Sequence, residues 1–279
     1  TLSDNIVEGN SSPHGSAVSV DVRSASINGN IISGNIVTSS SSTAGLFVRT
    51  YESAILTNNV IFNNDNQGID DSKPCAGGVY IEATHGEYPV ILTNNTITAN
   101  SALLAGGVRA NVSLEGNFHM YNNIVWGNEN QDLGSVDIIL EGFGTKYGYN
   151  NNYSSMIGLW GSFGDNMDAD PKFVGGSNGH YQLQAVSPCI DAGKNDATSI
   201  PSTDVDGQPR IMGSGVDMGA YEYLNAVVPV ALFRASPING LPPLEVFFSD
   251  ESIGTVNGWE WEFGDGNTSD EQNPVNSFT

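Results

Sequence analysis

Two stretches decide how this chain folds: Ile27-Asn28-Gly29-Asn30-Ile31-Ile32-Ser33-Gly34-Asn35 and, one repeat on, Leu56-Thr57-Asn58-Asn59-Val60-Ile61-Phe62-Asn63-Asn64. Both read aliphatic-x-x-Asn-(Ile/Val/Thr)-(Ile/Val)-x-x-Asn. The same nine-residue pattern opens at Leu2, Leu92 and Met120. Its first asparagines are Asn5, Asn30, Asn59, Asn95 and Asn123, so consecutive copies lie 25, 29, 36 and 28 residues apart. A second apolar run falls between copies, at Gly45-Leu46-Phe47-Val48, Gly78-Val79-Tyr80-Ile81 and Gly107-Val108-Arg109-Ala110, with Ala17-Val18-Ser19-Val20 in that place in the first copy. Short β-branched runs separated by Gly, Asn and Ser argue for strands and against helices. Propeller blades need about 40–45 residues per repeat, so the shorter period predicts a solenoid with two or three strands per turn.

Stacking turns at the spacing of hydrogen-bonded strands, about 4.8 Å, puts like residues over like. Leu2, Ile27, Leu56, Leu92 and Met120 then form one inner column, and Val7, Ile32, Ile61, Ile97 and Val125 another. The asparagines are expected to serve the turns twice, by tolerating a left-handed backbone and by bonding amide to amide along a ladder. The fold class is therefore all-β, a parallel β-helix, with its coils in residues 1–165. The longest step carries two insertions, 64–76 and 84–89, and loops on a rigid solenoid commonly carry function.

Composition narrows the partners. The chain has 279 residues, 9 Lys plus Arg against 31 Asp plus Glu, and a net charge of −22. Such a surface repels nucleic acid and anionic membranes. No apolar run approaches the ~18 residues of a membrane span. The opening residues Thr1 to Asn5 already lie inside the repeat, as in a piece of a longer protein, and the Asn- and Ser-rich, lysine-poor composition suits an exported one. Cys75 and Cys189 fall several repeats apart, and two unpaired thiols are expected rather than a bridge.

Beyond Asn128 the period fades into Asp170-Pro171-Lys172-Phe173-Val174, Ser187-Pro188-Cys189-Ile190-Asp191-Ala192-Gly193, Asp204-Val205-Asp206-Gly207-Gln208-Pro209-Arg210 and Val216-Asp217-Met218-Gly219-Ala220-Tyr221-Glu222-Tyr223. This turn-rich block, 166–224, is expected to cap the open end of the solenoid. Together with the repeats, it resembles the choice-of-anchor Q proteins, bacterial and archaeal surface or secreted proteins with pectate-lyase-like β-helices. The resemblance implies export and a right-handed β-helix, and that family has no agreed single activity.

Residues 225–279 change texture again. Trp259-Glu260-Trp261-Glu262-Phe263-Gly264-Asp265-Gly266 alternates rings with carboxylates, so the rings face a core and the carboxylates face water. The run, with Glu271-Gln272-Asn273-Pro274, resembles a polycystic-kidney-disease (PKD) domain, an immunoglobulin-like β-sandwich of extracellular proteins. By that resemblance the sandwich is incomplete at Thr279.

Chemistry is harder to find. A uronate lyase needs clustered basic residues, and Arg23, Arg49 and Arg109 do not cluster. A glycoside hydrolase needs two carboxylates about 5–9.5 Å apart. Asp70-Asp71 and His85-Gly86-Glu87 faintly resemble polygalacturonase elements but lie in the insertions. His14 and His119 show no partner pattern. Asp204 and Asp206 begin like a calcium loop without its downstream ligands, so turn capping is favoured over calcium. Outward aromatic residues are the stronger signal: Phe47 and Tyr80, aligned with Arg109 on one face, and Phe62 and Trp126 on the main repeat. Exposed rings on a rigid sheet suit the apolar face of a sugar. The favoured function is a non-catalytic extracellular or cell-surface module that binds glycans or mediates adhesion. A polysaccharide lyase or hydrolase, and a self-associating stalk or fibre subunit, are the alternatives.

Overall fold

A computed structural model describes residues 1–38, 43–68, 76–84, 88–113, 117–131, 134–158, 161–175, 181–224, 230–253, 256 and 258–279. Among these, every regular element is a β-strand. The chain divides into two compact units, Thr1–Tyr223 and Leu224–Thr279.

The first unit is a parallel β-solenoid. Its third turn shows the plan: strands Ala54–Thr57, Val60–Phe62, Asp65–Asn66 and Val79–Ala83. Each pairs in parallel with its counterpart in the turns before and after, giving four faces, A to D in that order. The sequence pattern suggests two or three strands per turn, and the structure has four. The extra face, C, is built from two-residue strands such as Ile36–Val37 and Asp65–Asn66. Each turns just one side chain inward, so face C has no alternation to betray it.

The two inner columns form as read, with Leu2, Ile27, Leu56, Leu92 and Met120 in one register and Val7, Ile32, Ile61, Ile97 and Val125 in the other. Face D adds Val18, Leu46, Val79, Val108 and Ile138. Each fully buried aliphatic contributes roughly 1.5–3 kcal/mol, so these columns drive the stacking. A Cβ on Gly78, which opens a face D strand, would lie 2.7 Å from the Gly107 carbonyl and 3.0 Å from the Asn100 amide. Only glycine lets the ladder asparagine pass there.

Two asparagine ladders run the length of the core. In the first, the side-chain Nδ2 of Asn5, Asn30, Asn59, Asn95 and Asn123 each donates to the Oδ1 of the next, at 2.9–3.0 Å. The ladder continues through Asn151 to Asn166. In the second, Asn10, Asn35, Asn64, Asn100 and Asn128 follow the same rule. The left-handed backbone falls not on these asparagines but one residue earlier. Asp4, Gly29, Asn58, Asn94, Asn122 and Asn150 take positive φ in the first series, and Gly9, Gly34, Asn63, Ala99 and Gly127 in the second. Turning the chain and bonding along the axis are thus separate jobs.

The second ladder has a chemical end. Strand Gly134–Ser135 runs antiparallel beneath Glu129–Asn130 and closes face C. Asp137 then occupies the place that Gly45, Gly78 and Gly107 hold in earlier turns, its carbonyl accepting from Val108 as theirs do from the strands above. Its Oδ1 accepts from Asn128 Nδ2 at 3.0 Å, while Oδ2 accepts from the backbone N–H and hydroxyl of Ser154.

The block after residue 166 does not close the end of the solenoid. It begins as one more rung, Met167 bridging Asn152, and then returns lengthwise along face B. The left-handed asparagines hold it there. Asn150 Nδ2 donates to Ala192 O, Asn122 to Lys194 O, Asn94 to Asp217 O and Asn58 to Thr203 O, at 2.7–3.2 Å. Within this segment Arg210 Nη1 donates to Glu222 Oε1 at 3.0 Å in a buried pair, and Arg210 also donates to the Asn58 side chain. Cys189 is a free, buried thiol, whereas Cys75 lies outside the described residues.

In the second unit, Phe233–Ser236, Leu244–Asp250 and Val275–Phe278 form an antiparallel sheet, and Trp261–Glu262 pairs with Thr268–Ser269. Phe233, Phe248, Trp261 and Phe263 make one ring cluster, while Glu260 and Glu262 are exposed. Asp265 caps its turn by accepting from Asn267 and Asn276.

Replacing Asn95 by Ala strands the N–H donors of Asn59 and the acceptor of Leu56 in the core. The expected loss is about 2–4 kcal/mol in chemical denaturation, against under about 1 kcal/mol for Asn5→Ala, whose side chain is exposed. A pH effect follows from the buried pair. Burial pushes the Glu222 carboxyl up to about 8, Asp217 adds to this, and Arg210 pulls the other way. The folded chain therefore holds that proton more firmly than the unfolded chain, and the associated stability, complete below pH about 4.5, is lost as pH rises through 8. Thermal midpoints of the wild type should fall relative to Glu222→Gln between pH 5 and pH 8.

Candidate functional site

The residues singled out in the sequence fall into three environments. On face D, Phe47, Tyr80 and Arg109 do share one outward column. Phe47 and Tyr80 stack with centroids 5.6 Å apart, and the Arg109 guanidinium lies 5.7 Å from the Tyr80 centroid on the opposite side. Arg109 in turn donates twice to Glu141, at 2.8 Å each. Tyr80 is only 3% exposed, packed with Ala76, Ala105 and Ile139, and burial pushes its phenol up to about 12. Both faces of the Tyr80 ring are filled, so Tyr80 offers no stacking surface, while the half-buried Phe47 has the Arg49 guanidinium 5.4 Å from its centroid.

Phe62 and Trp126 lie under the returning segment. Phe62 meets Tyr181 at 4.8 Å, and Trp126 packs in the cluster of Leu183, Cys189 and Met218. These rings anchor the segment to face B. Asp204 spends Oδ1 on the backbone N–H groups of Asp206 and Gln208 and Oδ2 on that of Glu222. Burial raises the Asp206 carboxyl, which accepts from Gln182. Asp204 serves the turn, and no group of three or more His, Cys, Asp or Glu among the described residues is arranged to hold a metal ion. Asp70, Asp71, His85, Gly86 and Glu87 lie outside the described residues.

A different ring cluster occupies face A, at the last turns. Strand Asn117–Tyr121 pairs with Thr145–Tyr149, which pairs with Gly161–Gly164. His119 therefore sits over Tyr147 and Tyr147 over Ser162, while Tyr121 sits over Tyr149 and Tyr149 over Gly164. The rings stack accordingly, His119 on Tyr147 at 4.7 Å and 25°, and Tyr121 on Tyr149 at 6.3 Å and 13°. His119 Nδ1 lies 3.0 Å from the Tyr121 hydroxyl, tying the two columns together, and the Tyr149 hydroxyl bonds to Ser162 Oγ. A Cβ on Gly164 in the direction of a larger side chain would crowd the Tyr149 ring at 3.1 Å.

Burial pushes the His119 imidazole below its ordinary range, so it is neutral at pH 7. Tyr121 is nearly covered, and His119, Tyr147 and Tyr149 are half-buried. The stack ends on small residues. Among the described residues, Tyr147 thus turns its outer face to Ser162 on the rung below, with hydroxyls alongside. A ring face bordered by hydroxyls can take the C–H face of a sugar and bond its edge groups. None of the five side chains is a carboxylate. The signal in the sequence was the step: His119 to Tyr147 and Tyr121 to Tyr149 repeat the 28 residues that separate Asn123 from Asn151.

The fold and this surface define a parallel β-solenoid with an aromatic outer face. No protein-family model matches the chain, and no curated protein or solved structure is detectably similar to it. No helix among the described residues is long and apolar enough to cross a membrane.

Trp126 and Tyr147 should part in their effects. Trp126→Ala removes an anchor of the returning segment and should cost about 2–4 kcal/mol in denaturant titration. Tyr147→Ala, at the half-exposed end of its stack, should cost under about 1.5 kcal/mol.

Proposed function

We propose that this chain is a non-catalytic, extracellular β-solenoid module that holds glycans against face A. The stacked pairs His119–Tyr147 and Tyr121–Tyr149, ending on Ser162 and Gly164, carry the reading. A solenoid stacked through its side chains keeps such rings fixed before the ligand arrives, which lowers the ordering cost of binding. The net charge of −22 favours neutral glycans over polyuronates. The resemblance of the DPxFV, SPCIDAG, DxDGxPR and VDMGAYEY stretches to choice-of-anchor Q proteins supports export. The alternating rings and carboxylates of 259–263 support a PKD-like second unit, a type found in extracellular proteins.

Glycan arrays and affinity electrophoresis in neutral polysaccharides test the assignment. Tyr147→Ala and His119→Ala should each weaken retention about tenfold, the loss of roughly 1.4 kcal/mol of stacking. Phe47→Ala should leave it unchanged. Retention indifferent to both face A substitutions, or appearance of new reducing or unsaturated ends in the polysaccharide, would refute it.

A further inference from the structure

We infer a second saccharide site, in a groove between the first three turns of face A and the overhanging loop 199–207 of the returning segment. It would take an uncharged ligand of two or three sugar rings. The site is separate from the ring cluster and rests on the proposed function for its ligand class alone. The groove encloses about 700 Å³, within the ~300–1,000 Å³ usual for small-ligand sites. Ser26, Asn28 and Ile55 form its floor, and Pro201, Ser202 and Thr203 form its wall. Hydroxyls and an amide thus line the groove together with the apolar Ile55 and Pro201, a mixture that suits the amphiphilic surface of a sugar.

The groove is held in shape before anything binds. Thr57 Oγ1 donates to Asn28 Oδ1 at 2.9 Å, which fixes the amide and turns its N–H groups away as donors. On the wall, the Thr203 carbonyl accepts from Asn58 at 2.7 Å and the Ser202 carbonyl from the Arg210 backbone at 3.1 Å. Ser199, at the lip, is held at φ 63°, a conformation that costs a serine of order 1–3 kcal/mol and persists where surroundings impose it. Charge sets the ligand class. The Asp204 carboxylate in the wall is spent on three backbone N–H groups, and Asp4 lines the floor, so an anionic sugar meets repulsion with no basic side chain to offset it.

Calorimetric titration of the full chain with cellotriose, xylotriose, mannotriose and chitotriose tests the site. For a trisaccharide that binds, the expected stoichiometry is two. Ser26→Trp, which fills the groove from an exposed position, should reduce it to one, as should Tyr147→Ala from the other site, and Thr203→Val should weaken the groove alone by about tenfold. A single cooperative thermal transition for each variant confirms that it folds. A stoichiometry of one that Tyr147→Ala abolishes and Ser26→Trp leaves intact overturns the groove while sparing the proposed function. Absence of heat with all four sugars overturns both.

Discussion

A primary amide has two N–H donors and an oxygen that takes two bonds, and burying one is tolerable only when all four are used. Asn59 shows how this chain meets that condition. Its Nδ2 donates to Ile27 O in the turn before and to Asn95 Oδ1 in the turn after, while its Oδ1 accepts both the backbone N–H and the Nδ2 of Asn30. Every bond but none of the covalent chain runs along the axis. The turns are consequently registered by side chains that would be unsatisfied in any other offset, and the aliphatic columns follow from that register.

The residue before each asparagine of the first ladder has a second use. Its left-handed backbone points the side chain outward along one edge of face B, and four of these residues are asparagines whose amides hold the returning segment. Where the series has Asp4 and Gly29 instead, no such amide is offered, and the groove lies there. The same edge therefore determines both where the segment docks and where it leaves a gap. The buried Arg210–Glu222 pair adds to the docking through Asn58, where it fixes geometry more than it supplies stability.

Much of this was legible because stacking makes the sequence repeat itself. Five copies with asparagine at fixed places and aliphatics between them admit one architecture, and both inner columns could be read directly. Legibility failed where stacking is met by other means. Face C strands are too short to alternate. In the sixth turn Gly148 stands in the aliphatic column because the Phe163 ring fills the space its side chain would need, 2.6 Å from a Cβ. That substitution broke the pattern just where His119, Tyr121, Tyr147 and Tyr149 align. Phe62 and Trp126 were correctly placed outward, but a segment more than 50 residues away in sequence from Trp126, as at Leu183, covers them, and no local period reports that.

Asp137 carries a consequence for how such a protein can change length. Amide ladders have a direction, each member giving to the one below, so any whole turn ending in asparagine can be inserted into or excised from the series without altering its neighbours. A carboxylate has nothing to give. It receives from Asn128 above and Ser154 below, and a further asparagine rung beneath it would present an oxygen to an oxygen. Insertion or loss of turns that keeps the second ladder whole is thereby confined to the N-terminal side of one acidic residue, while the first ladder runs on through Asn151 to Asn166.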